Sequence, residues 1–416
     1  MKDSRFVIVG GGLGGAKMAD ELRHCGYPGS IVLVGAESHL PYERPPLSKD
    51  YLAGTADRAS LAVHDLSWYV DHDVDLRLGE PATQLDRDAH EVVLRDGTRL
   101  GYDQLVLATG SRARRLHLPG SDAGGVLYLR DVDDSDALRA GLDQARRIVL
   151  IGAGWIGLEV AANARQRGVE VDVVEVAPLP LLRVLGADLA QMFADLHGEH
   201  GVRFHFEASV AGIEVDGGRA TGVTLGDGTR LPADLVVVGV GAQPNVDLAR
   251  EAGLEVDNGV LVDQYLRTTD PDIYAVGDIA AQAHPRLGRV RVEHWANALN
   301  QPAAVAATVT GTLTPYSQQP YFYTDQYDLA MEYHGYVPPG VEPTVVIRGD
   351  RATRELLAFW LSPTGKVLAG MNLNIWDAED QIKALLDSGP VDPRRLSDLG
   401  LPLERVLPFA AAQETR

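Results

Sequence analysis

The sequence predicts an α/β chain: two parallel-sheet domains of one design, followed by a smaller α+β domain with an antiparallel sheet. Three observations lead there. An apolar strand, a glycine turn, an amphipathic helix and a second apolar strand ending on an acid occur in FVIVGGGLGGAKMADELRHCGYPGSIVLVGAE (6–37), and again in IVLIGAGWIGLEVAANARQRGVEVDVVE (148–175). Such alternation requires a parallel sheet with right-handed crossovers. DGTRLGYDQLVLATG (96–110) is echoed by DGTRLPADLVVVGVG (227–241), each an Asp-Gly hairpin signal leading into a buried strand. After about residue 320 the texture changes: YFYTDQYDLAMEYHGY, TVVIRG and ELLAFWLSPTGKVLAGMNLNIW read as antiparallel strands with a turn at Ser362–Gly365. A helix, DAEDQIKALLDSG, closes this part, with Asp377 as the expected N-cap and Gly389 as its stop.

A chain of 416 residues exceeds what one core supports, and 45% apolar residues with 44 glycines suit several α/β cores joined by tight turns. The net charge of −20 argues against attraction to nucleic acid or an anionic membrane. No apolar run approaches the ~18 residues needed to span a bilayer, and MKDSRFVIV lacks the layout of a signal peptide, so the expected location is the cytoplasm. Cys25 is the only cysteine, which leaves neither an intrachain disulfide nor a CxxC pair. Any redox chemistry must therefore reside on a bound cofactor. The 12 histidines form no HExxH motif or Cys/His cluster, so no metal site is expected, and no GxSxG follows a strand.

The glycine turns carry the chemistry. Gly10, Gly12 and Gly15 follow a strand and open a helix, so the backbone can turn sharply, approach a pyrophosphate and aim helix N–H groups at it. Glu37 ends the next strand, where an acid accepts hydrogen bonds from a ribose. Gly152, Gly154, Gly157 and Glu175 repeat the arrangement, giving two Rossmann-like dinucleotide-binding domains. An acid at Glu175 repels a 2′-phosphate and favours NADH over NADPH, whereas nearby Arg183 works the other way. Spacing alone does not say which copy holds which nucleotide.

LPYERPPLSKDYLAG (40–54), TTDPDIYAVGDIA (268–280) and YFYTDQYD (321–328) resemble the ferredoxin reductases of bacterial oxygenase systems, over roughly residues 5 to 400. That family has a glutathione-reductase-like pair of FAD and NAD domains but lacks the redox disulfide of its superfamily. The resemblance implies an FAD domain from 1–112 and 243–320, an NAD domain from 113–242 and a C-terminal interface domain from 321–416. FAD would be held by Gly10, Gly12, Gly14, Gly15, Glu37, Arg44, Pro45, Lys49, Ala82, Ala108, Thr109, Gly110, Arg130, Gly277, Asp278 and Trp295. NAD would be held by Gly152, Gly154, Ile156, Gly157, Glu159, Glu175, Arg183 and Gly241. Lys49 and Glu159 match an oppositely charged pair that orients the nicotinamide and balances flavin charge. The family commonly has Trp where this chain has Tyr323, in the vicinity of the flavin and nicotinamide rings.

By the same resemblance, hydride passes from NADH to FAD, and electrons leave singly to a 2Fe-2S ferredoxin serving an oxygenase. Where superfamily members carry reactive cysteines, this chain reads Pro41-Tyr42-Glu43-Arg44-Pro45-Pro46. Ferredoxins are typically acidic, and the densest basic stretch for docking one is Arg286, Arg289 and Arg291. The competing expectations are an NADH oxidase or quinone reductase, a rubredoxin reductase, or a redox switch of the apoptosis-inducing-factor kind. The chain is expected to act as a monomer or homodimer.

Overall fold

The structure, a computed structural model, describes residues 4–406. The chain forms two compact units. The first comprises the chain up to His117 together with Leu127–Asp143 and Val238–Gln318; the second comprises Leu118–Val126, Gln144–Val237 and the chain from Gln319 onward. The division at residues 112, 242 and 320 remains a proposal about ligand-binding modules.

The first unit is built on a five-stranded parallel sheet in the order Ile273–Ala275, Gln104–Leu107, Arg5–Val9, Ser30–Gly35, Val74–Leu78. The runs FVIV and IVLVG are apolar at consecutive positions because helices cover both faces of such a sheet. Phe6, Ile8, Leu33, Leu105 and Ile273 are accordingly buried in one core. The helix Leu13–His24 turns Met18, Ala19 and Leu22 to that core. Its neighbour Trp295–Val309 approaches at Gly14, where a Cβ would lie 3.7 Å from Ala298 O.

In the second unit the same crossover recurs: Arg147–Ile151 pairs in parallel with Glu170–Val174, and that strand with Val202–His205. The two Asp-Gly signals form matching hairpins. Asp96 accepts from Thr98 N at 2.8 Å and Asp227 from Thr229 N at 2.8 Å, so each carboxylate closes its own turn. The C-terminal sheet is antiparallel, in the order Tyr321–Gln326, Leu329–Gly335, Val367–Leu373, Glu355–Leu361, Thr344–Asp350. Ile382, Leu385 and Leu386 of the helix Glu379–Asp387 cover one face of it.

That helix begins differently from the expectation. Asp377 does not cap it: its φ is +64°, and Ala378 occupies the cap position. Asn374 (φ +50°) and Asp377 together redirect the chain as it leaves the strand, a conformation that Asn and Asp tolerate better than most residues. The helix ends at Asp387 with Ser388 as its C-cap, and Gly389 follows the cap directly.

One cap bears directly on function. Asp131 opens the helix Val132–Leu142 with a capping box, accepting from Asp134 N at 2.8 Å, while the Asp134 carboxylate takes the Arg130 N–H at 2.9 Å. The box thus fixes the backbone that carries Arg130. Replacing Asp131 with Ala is expected to lower the unfolding free energy in urea by about 1 kcal/mol; an unchanged midpoint would show that the box adds nothing.

Candidate functional site

In the first unit the strand Arg5–Val9 runs into Gly10, whose φ of +131° disfavours any side chain. A Cβ on Gly10 would lie 2.2 Å from Ala108 O, and one on Gly15 would lie 1.9 Å from Gly10 O. Only hydrogen fits at either point, so these residues let the strand, the helix start and the adjacent strand close on one another. Gly12 has a different role. No atom stands within 4 Å of a Cβ built there, and no side chain caps the helix that it begins. Such an opening leaves room for an anion against the first-turn N–H groups.

Glu37 stands two residues past the strand Ser30–Gly35 and is met by the PYERPPLSK segment. Tyr42 OH donates to its Oε2 at 2.5 Å and Arg44 Nη2 to its Oε1 at 2.6 Å. Burial opposes the charge, but Arg44 and the Tyr42 hydroxyl outweigh it and hold the carboxyl below the usual glutamate range. Arg44 also donates to Arg130 O at 2.6 Å. Arg130 in turn pairs with Asp278 at 2.8 Å and borders Gly110, while its Nε is buried with no hydrogen-bond partner among the described residues. A buried donor left in this state is expensive unless a ligand oxygen meets it.

These contacts join Glu37, Arg44, Arg130, Gly110 and Asp278 into one connected rim, with Ala108 reached through Gly10. Thr109 exchanges hydrogen bonds with Asn245, Oγ1 to O at 2.9 Å and Nδ2 to O at 2.8 Å. Gly277 donates its N–H to Gln301 Oε1 at 2.7 Å. Trp295 Nε1 donates to Glu43 Oε2 at 2.5 Å. Pro45 opens the short turn Pro45–Ser48, and Lys49 follows it, partly exposed. Ala82 begins the strand Ala82–Asp86.

The second unit repeats the cradle. Gly152 has φ +102°, a Cβ on Gly157 would lie 2.4 Å from Gly152 O, and a Cβ on Gly154 would meet nothing within 4 Å. Glu175 is tied to this turn, accepting from Ala153 N at 2.8 Å and from Ala177 N at 2.9 Å. Ile156 projects from the first helical turn, 47% exposed, and Arg183 is exposed on the short helix Leu182–Leu185. Glu159, in the helix Trp155–Gln166, is buried, and Thr324 Oγ1 donates to it at 2.5 Å. Tyr323 pairs in register with Glu332 on the adjacent strand.

Lys49 belongs to the first unit and Glu159 to the second. Gly241 packs with the first unit, where its carbonyl accepts from Arg114 N at 2.9 Å. The expected basic patch is tethered to the chain itself. Arg286 Nη2 donates to Ser317 O at 3.0 Å, Arg289 Nη1 to the carbonyls of Val262 and Ala281 at 2.8 and 2.6 Å, and Arg291 Nη1 to Glu293 at 2.8 Å. These bonds anchor the arginines around the Gly288–Val290 strand, and Arg286 and Arg289 remain exposed there. Sequence reasoning missed Thr324 as a partner of Glu159, because the contact joins residues 165 positions apart.

Residues 4–301 match the family described as pyridine nucleotide-disulphide oxidoreductase, and residues 321–407 match the reductase C-terminal family. The chain belongs to the pyridine nucleotide-disulphide oxidoreductases. Rhodocoxin reductase of Rhodococcus erythropolis is 44% identical over 346 residues, covering 83% of this chain and 81% of that one. The ferredoxin–NAD(+) reductase component of the anthranilate 1,2-dioxygenase system of Burkholderia cepacia is 41% identical, covering 96% and 98%. Among solved structures, the ferredoxin reductase for the CYP199A2 system from Rhodopseudomonas palustris is 40% identical with a TM-score of 0.93, covering 98% and 100%. The covalent putidaredoxin reductase–putidaredoxin complex gives 38% and 0.92, covering 97% and 98%. In this pyridine nucleotide-disulphide oxidoreductase no disulfide can join two cysteines, since Cys25 is alone. No helix among the described residues is long and apolar enough to cross a membrane.

Two outcomes separate the glycines of the first cradle. Gly15→Ala should destabilise the fold by several kcal/mol, about 3 or more, because its methyl meets backbone that cannot yield. Gly12→Ala should leave the melting temperature of the flavin-free protein unchanged yet weaken retention of added FAD. Equal effects of the two on the melt would refute the assignment.

The Glu37 contacts predict a pH dependence. With the folded-state pKa depressed, this carboxylate's contribution to stability is complete above its ordinary value of 4.5 and fades as pH falls through the lowered one. Arg44→Met should therefore remove part of the acid-side stability difference; identical acid titrations of the two proteins would contradict it.

Proposed function

We propose that the chain is an NADH:ferredoxin oxidoreductase, binding FAD at the Gly10–Gly15 cradle and NADH at the Gly152–Gly157 cradle, and passing electrons to a 2Fe-2S ferredoxin that serves an oxygenase. The observation that carries this is two like-built open cradles, at Gly12 and Gly154, in a chain whose single cysteine rules out a dithiol relay. The names borne by the relatives support the acceptor, and the supply of NADH supports a cytoplasmic location.

The first unit suits FAD because its rim offers both signs of charge and a buried donor in want of an acceptor. Gly10, Gly12, Gly14 and Gly15 would seat the pyrophosphate, Glu37 with Arg44 the adenosine end, and Arg130 Nε an oxygen of the same molecule; Ala82, Ala108, Thr109, Gly110, Gly277, Asp278 and Trp295 complete the assignment. When bound, FAD supplies the exchange between a hydride taken from NADH and electrons released one at a time.

Gly152, Gly154, Ile156, Gly157, Arg183 and Gly241 are assigned to the pyridine nucleotide. Glu175, held by two backbone donors, stays oriented to accept from ribose hydroxyls and repels a 2′-phosphate. Lys49, Glu159 and Tyr323 are assigned to the reacting rings, with Lys49 supplying positive charge and Glu159 negative charge.

Anaerobic NADH should bleach the oxidised flavin band at about 450 nm, and adding a 2Fe-2S ferredoxin with cytochrome c should make turnover continuous. Material that takes up no flavin, or whose flavin stays oxidised under NADH, would defeat the proposal. Glu175→Gln should narrow the preference for NADH over NADPH by about tenfold, the order of one charge contact at a half-exposed site.

A further inference from the structure

Glu159 is 4% exposed, and a carboxylate so placed requires donors. A file of four side chains leads to it within the second unit. Thr324 Oγ1 lies 2.5 Å from Glu159 Oε1, Gln326 Nε2 lies 3.0 Å from Thr324 Oγ1, and His197 Nε2 lies 2.8 Å from Gln326 Oε1. Tyr327 OH stands 3.4 Å from His197 Nδ1. Thr324, Gln326 and His197 are 0%, 1% and 0% exposed.

A carboxylate acceptor at the head of the file orients every bond in it. An ionised carboxylate only accepts, and the Thr324 hydroxyl has one proton to give. Thr324 therefore donates to Glu159 and accepts from the Gln326 amide N–H. Gln326 then presents its carbonyl to His197, which must carry its proton on Nε2 and leave Nδ1 to accept from Tyr327. Burial depresses His197 to about 4, so its ring stays neutral, as a single-proton link requires. All the dipoles point their positive ends at Glu159, and in a low-dielectric interior such a chain reinforces itself.

Aromatic packing lies close by on these elements: Trp155 meets Phe193 at 5.7 Å and Phe322 at 5.3 Å between ring centroids. Packing alone would be served by more of the same. Three fully buried polar side chains gain their value from the carboxylate at the end of the file.

We propose that Thr324, Gln326 and His197 are positioning residues that hold the Glu159 carboxylate in a single rotamer for the reaction with NADH. The inference rests on the assignment of Glu159 to the reacting rings.

The test uses the flavin-loaded enzyme. At saturating NADH, Thr324→Val should slow flavin bleaching about tenfold, the scale of one hydrogen bond to a buried charge, and Thr324→Ser should restore it. The Thr324→Val/Glu159→Gln double variant should be no slower than Glu159→Gln alone, since the two act through one group. Independently of turnover, nitrogen NMR of labelled histidines in the wild type should find His197 protonated on Nε2, with a mixed tautomer once Thr324→Val cuts the file. Bleaching at the wild-type rate in Thr324→Val, additive losses in the double variant, or a wild-type His197 protonated on Nδ1 would overturn the inference. A wild type whose flavin NADH does not bleach would instead sink the proposed function, and the tautomer would still decide the direction of the file.

Discussion

Two backbone oxygens, those of Gly10 and Gly152, govern what the rest of the molecule can do. Each faces the Cα of a glycine five residues on so closely that a methyl group could not intervene. That approach sets the start of the helix against the end of the strand and leaves Gly12 or Gly154 at the opening. The sheet, the crossover helix and the acid after the second strand then follow from one geometric condition, met twice in one chain.

Much of this was legible because the condition writes itself into residue type. Glycine at 10, 12 and 15, apolar runs on either side and Glu37 at the end of the second strand could be read in order, and the same held for Gly152 to Glu175. The hairpins at Asp96 and Asp227 were equally visible, since the Asx turn needs Asp followed by Gly and Thr. Local chemistry of this kind needs no knowledge of distant contacts.

What stayed hidden depends on contacts far apart in sequence. Spacing marked Arg286, Arg289 and Arg291 as a basic stretch, but it could not show that these guanidinium groups also bond the chain's own carbonyls and a carboxylate, with Arg286 and Arg289 still exposed. Asp377 resembled a helix cap because the competing demand, a left-handed residue on leaving the strand, is imposed by the sheet. The link from Thr324 to Glu159 spans 165 residues, and nothing local to either announces it. The Arg44 contacts were read only through a resemblance; the structure adds that Tyr42 and Arg130 fix its guanidinium.

In the proposed assignment both cradles would grip the same diphosphate moiety, so the grip itself would not distinguish a permanent occupant from a visitor. Residence must be set at the edges. Around the first opening, Glu37, Arg44, Arg130 and Asp278 form an interlocked set of charges that a departing molecule would have to leave behind. The second unit has instead an acid, Glu175, anchored by two backbone donors, with Ile156 exposed on the first turn of one helix and Arg183 on another, short one. That contrast would suit a slow off-rate on one side and rapid exchange on the other, so one pocket design used twice in a chain could serve as both a holder and a turnstile.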